Sequence, residues 1–87
     1  MKTNHVGTKP LPKWFDGQHY SDGATVTNPF SGESFYLDRT ELSMYDFIMG
    51  CSMTFDVHQD PQLIEDFDKA RDWFIKANSK AYMVLLD

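Results

Sequence analysis

Cysteine is nearly absent: Cys51 stands alone among 87 residues, so no intrachain disulfide can form and no multi-cysteine metal framework is available. Long apolar runs are missing too. The longest, residues 81–86, falls far short of the roughly 20 residues that a membrane-spanning helix needs. The first five residues are not followed by an apolar stretch, so no secretory signal is expected and the protein is expected to be cytoplasmic. Five glycines, at 7, 17, 23, 32 and 50, are too scattered to form a phosphate-cradling loop. Without a cradle or a metal framework, no cofactor is expected.

Basic residues are also in short supply, eight against 13 acids, for a net charge of −5. The deficit is uneven. Residues 1–13 carry Lys2, Lys9 and Lys13 and no acid, while the remainder sets all 13 acids against five basic residues, for −8. Clustered Lys and Arg neutralise phosphate backbones, and the body of this chain offers the opposite. Direct nucleic-acid binding is therefore not expected, nor is binding to a membrane.

What the chain does have is aromatic bulk: seven Phe, four Tyr and two Trp make up 15% of the residues. These supply large apolar area from few positions. A chain of this length is one domain, and folding buries only about 60–65% of the surface its unfolded form exposes. Residues 1–13, with Gly7, Pro10 and Pro12, lack periodicity and read as a basic arm. The globular domain is expected over 14–87.

Turn signals at Asp16-Gly17 and Ser21-Asp22-Gly23 lead into a β-prone run, 24–27. The segment 28–32, Asn-Pro-Phe-Ser-Gly, supplies a turn, and 34–37 can return as the second strand of a hairpin. Asp38 followed by Glu41 has the form of a capping box, and a helix over about 39–54 should follow. Leu42, Tyr45, Met49 and Met53 share one stripe of that helix, yet Met44, Phe47, Ile48, Cys51 and Phe55 cover most of the rest. Only a sector around Ser43, Asp46 and Gly50 is polar or small, so the helix must be covered on more than one side.

Asp60-Pro61 marks the start of a second helix, running to about Ala77. Its apolar face holds Leu63, Phe67, Ala70, Phe74 and Ala77. Glu65 with Lys69, and Asp72 with Lys76, are favourable i,i+4 pairs on its wet side. Asn78-Ser79 can end that helix and cap a short third segment over 80–86. The architecture expected is α+β with helix dominant: arm, hairpin, two main helices and a short C-terminal helical segment. The central helix should lie between the hairpin and the second helix.

Catalytic and metal candidates are weak on chemistry. Asp56, His58 and Asp60 could gather round a divalent ion, as could His19 with Asp22, but neither set has the spacing of a defined metal motif. Cys51 could be a nucleophile with His58 as its base. In an apolar helix, however, a thiol behaves as a small hydrophobe with a raised pKa. Acids at i,i+2, such as Asp66 and Asp68, do not face each other on a helix. The expectation is a protein that is not an enzyme.

The segment Thr27-Asn28-Pro29-Phe30-Ser31-Gly32-Glu33, the stretch 37–50 and the closing Ala81-Tyr82-Met83-Val84-Leu85-Leu86-Asp87 together resemble small proteins encoded by marine tailed phages of cyanobacteria. The likeness spans residues 24–87. It implies a phage accessory protein that works in the host cytoplasm or is carried in the particle, and it brings no catalytic residues.

A non-catalytic protein–protein interaction module is thus the leading expectation, as a homodimer and with a host or phage protein as a further partner. The alternatives are a minor structural component of a phage particle and an acidic inhibitor of a host nucleic-acid enzyme. The uncovered sector of the central helix is expected around Met44, Phe47, Ile48, Cys51 and Phe55.

Overall fold

The computed structural model describes residues 10–55 and 60–86. Two strands, β1 (Ala24–Thr27) and β2 (Ser34–Leu37), precede three helices, α1 (Arg39–Phe55), α2 (Pro61–Ala77) and α3 (Ser79–Leu85). The helix-dominant α+β architecture expected from the sequence is the one observed.

The strands form an antiparallel hairpin in which Ala24 faces Leu37 and Thr27 faces Ser34. Its turn is set by Asn28, whose side-chain oxygen accepts from the Phe30 N–H at 2.9 Å and whose carbonyl accepts from the Gly32 N–H at 2.8 Å. Gly32 takes the positive φ of 79° that L-residues avoid. At the other end of β1, a Cβ on Gly23 would collide with the Leu37 carbonyl and the Tyr36 hydroxyl. Only glycine lets the two backbones approach so closely there.

Each helix starts where a side chain satisfies its first free N–H groups. Asp38 accepts from the Glu41 N–H at 2.9 Å, and Glu41 reciprocates by accepting from the Asp38 N–H at 3.0 Å. Asp60 caps α2 through the Gln62 N–H, with Pro61 at the first helical position. Asn78 serves two helices at once. Its backbone N–H closes α2 on the Phe74 carbonyl, and its side-chain oxygen accepts from the Ala81 N–H to open α3.

The core gathers one or more residues from most of these elements: Phe15 from the N-terminal segment, Leu37 from β2, Met44 and Ile48 from α1, Ala70 and Phe74 from α2, Ala81 and Leu85 from α3. α1 packs along α2 and touches β2, while α3 packs on both β2 and α2. The central helix therefore does meet the hairpin and the second helix, but α3 shares the work of covering the hairpin.

Two further covers come from before the hairpin. Phe15 and Trp14 stack around Phe47 of α1, with ring centroids 5.6 and 6.1 Å away. The Tyr20 N–H donates to the Ser43 hydroxyl at 2.9 Å, and that hydroxyl donates to the Arg39 carbonyl. Residues 10–13, read from sequence as part of the arm, also contact the body. Leu11 packs against the core, and Trp73 donates its indole N–H to the Pro10 carbonyl at 3.3 Å. Contact with the domain thus begins before Trp14. The remainder of the arm, 1–9, lies outside the described residues.

Candidate interaction surface

α1 has apolar side chains on nearly every side, so its surroundings decide which face is interior. The side bearing Met44, Ile48 and Cys51 is buried. Phe47 and Phe55 are half-buried: Phe47 lies under Trp14 and Phe15, and Phe55 packs edge-on against Phe67 of α2 at 5.2 Å. The five residues expected to form an open sector are thus three core residues and two partly covered ones. An open sector there would require the hairpin and α2 to be the only covers of α1. Trp14 and Phe15, from before the hairpin, supply a further cover over Phe47.

The outward side of α1 carries the opposite stripe. Leu42 and Tyr45 are half-buried, Met49 is 36% exposed and Met53 is 71% exposed. Residues at these spacings share a face, so an apolar strip emerges from the core margin and opens toward the helix's C-terminal end. Asp46 and Gly50 lie beside it, both exposed. A Cβ added at Gly50 would meet nothing within 4 Å. Gly50, Asp46 and Phe47 also form part of the wall of an open groove that reaches Gly17 and Leu63.

Cys51 lies at the foot of that groove, buried. Burial pushes its thiol above the ordinary value of 9.0, and the negative charge of Asp66 adds to the shift. A thiol held protonated is a poor nucleophile. His58, the base considered for it, lies outside the described residues, as does Asp56. Asp60 is engaged as the α2 cap. His19 is exposed and meets the Phe15 ring edge-on at 5.1 Å. Among the described residues no group of three or more His, Cys, Asp or Glu side chains is placed to hold a metal ion.

Other polar side chains serve structure. Arg71 donates to the Tyr82 hydroxyl at 2.9 Å, and this bond, the first cause of its upward pKa shift, joins α2 to α3. Glu65–Lys69 and Asp72–Lys76 form the expected exposed pairs at 3.4 and 3.0 Å. Among the described residues, no helix is long and apolar enough to cross a membrane.

Phe30, at the tip of the hairpin turn, is 98% exposed. Sequence marks 28–32 as a turn, in which Phe30 is the one aromatic residue. The signal was a Phe where a turn needs only Asn, Pro and Gly.

Compared with protein-family models, with curated proteins and with solved structures, the chain has no match.

Proposed function

We propose that this chain is a non-catalytic interaction module that works as a homodimer, with the outward face of α1 as its contact surface. The observation that carries the reading is the apolar strip Leu42, Tyr45, Met49 and Met53, in which Met53 leaves 71% of its surface to solvent. Methionine is flexible and polarisable and suits an adaptable contact. Gly50, beside the strip, leaves room for a second backbone to approach. Twofold self-pairing is the commonest way for a protein to cover such a face.

The resemblance to marine cyanophage proteins supports placing this module in the host cytoplasm as a phage accessory protein. Mass spectrometry of infected cells and of purified particles tests that placement. Abundance in cells and absence from particles is expected, and stoichiometric presence in particles would favour the structural-component alternative.

The dimer is tested by sedimentation equilibrium across micromolar concentrations. The unmodified chain should show a concentration-dependent mass that approaches twice the monomer's. The double variant Met49→Glu/Met53→Glu should stay monomeric with its helical signal intact. A monomeric unmodified chain at high concentration would refute the reading.

A further inference from the structure

We infer that the hairpin tip is a second contact site, a pre-set turn that inserts Phe30 into an apolar pocket on a different protein. The inference stands apart from the α1 face, because Phe30 lies on the hairpin turn.

Three observations carry it. First, Phe30 exposes 98% of its surface and makes no ring contact within the core cluster. Second, the turn that presents it is braced. Asn28 holds the Phe30 N–H with its side-chain oxygen, holds the Gly32 N–H with its carbonyl and donates its own N–H to the Glu33 carbonyl at 2.8 Å. Its side-chain amide also donates to the Val84 carbonyl of α3 at 3.0 Å, 56 residues away. Ser31 accepts from the Glu33 N–H, and the Thr27 and Ser34 hydroxyls share a bond at 2.8 Å across the base. Third, this bracing uses Asn28, Ser31 and Gly32 and leaves the phenyl ring without a role in the fold.

A turn held in this way leaves only the Phe30 side-chain torsions to be ordered on docking, and preorganisation of the backbone strengthens binding. Single aromatic anchors seated in desolvated pockets dominate many interfaces. The tip also indicates the chemistry of its partner. Between residues 27 and 34 the only charge is the exposed carboxylate of Glu33. The partner should therefore present a phenyl-sized apolar pocket with a Lys or Arg on its rim. A second copy fits less well. The groove beside α1 carries Asp46 in its wall, which would face Glu33 with like charge.

The test is site-specific photocrosslinking in the full-length chain. Benzoylphenylalanine replaces Phe30 in one sample and the exposed Ser79 in a control, and both are irradiated in an extract of the protein's source cells. One adduct is expected at position 30 and none at 79, with the crosslinked partner peptide apolar and next to a basic residue. A free peptide of residues 27–34, cyclised through its ends, should compete the adduct away. With the partner so identified, Phe30→Ala should weaken binding about thirtyfold or more, the scale of an interface hot spot. Its melting temperature should be unchanged. No adduct, equal adducts at both positions, an adduct only to another copy of this chain, or a Phe30→Ala variant that binds normally would each overturn the proposal.

Discussion

Glu41 shows most sharply what a single residue does here. The sequence identifies it as the second half of a capping box, a role that ordinarily leaves a carboxylate at the surface. In the structure it is buried, 1% exposed. One of its oxygens accepts from the Asp38 N–H and the other from the Asn78 side-chain amide at 3.2 Å. Since Asn78 caps α3, one carboxylate ties the start of α1 to the junction of α2 and α3. Only the local half of that role was legible, because the Asn78 partner lies 37 residues away. Replacing Glu41 with Ala removes a buried acceptor from two half-buried donors, and the two bonds together contribute about 1–3 kcal/mol. Asp60→Ala, which strips an exposed cap, should cost less, about 0.5–2 kcal/mol. Urea denaturation of both variants checks the order, and a Glu41→Ala loss smaller than that of Asp60→Ala would contradict this account. Cys51 adds a pH dependence. A thiol whose pKa is raised by folding contributes stability that is fully present below its unfolded pKa and lost as pH rises through the folded value. With 9.0 as the ordinary value, the urea midpoint should fall as pH climbs above about 9. Tyr45, shifted upward by burial from 10.0, extends the loss to higher pH. Cys51→Ala should flatten the first part of that slope, and an unchanged slope would show that the thiol does not titrate with folding.

At the scale of elements, the boundaries were legible because they are local chemistry. Asp38, Asp60-Pro61 and Asn78 carry their capping groups in the sequence itself, and the 28–32 turn carries its Asn, Pro and Gly. The orientation of α1 was not legible. A helix with apolar residues on nearly every side has no dominant phase, so tertiary neighbours decide which residues go in. Trp14 and Phe15, upstream of the hairpin, settle one side by packing on Phe47. That role predicts a large loss for Phe15→Ala, about 3 kcal/mol or more for a buried Phe. Deleting residues 1–9 should leave the melting temperature almost unchanged, because that stretch has few apolar anchors. If the short deletion proved as damaging as Phe15→Ala, the docking would begin earlier than Pro10. Gly50 supplies an independent check on α1. It sits within the helix, where glycine is unfavourable, and a Cβ there would touch nothing. Gly50→Ala should therefore stabilise the monomer by about 0.5–1 kcal/mol. A destabilised monomer would mean that the space beside Gly50 is filled by its own chain.

For the molecule as a whole, the question is whether folding and association can be separated. The sequence expectation merged them, because it placed the open sector on Met44, Phe47, Ile48, Cys51 and Phe55, which the structure finds largely inside. The fold divides the methionines of α1 by task. Met44 is fully buried in the core, whereas Met49 and Met53 face outward on the strip. A glutamate at position 44 would have to enter the core unpaired or protonated, and burying an unpaired charge is expensive. The total stability available to a domain of this kind is only about 5–15 kcal/mol. Met44→Glu should therefore unfold the chain or reduce it to a loosely packed state. Its helical signal would be weakened, and its melting transition would be broad and shifted to low temperature. Met53→Glu places the same charge in water at no comparable penalty. It should keep the melting transition of the unmodified monomer, measured at a concentration where association is negligible, and lose only the concentration dependence of mass. Circular dichroism and sedimentation on the two variants side by side give the answer. If Met53→Glu also unfolds, the strip is part of the core and not a contact face. If Met44→Glu stays folded, α1 is turned the other way, with Met44 outward and Met53 within.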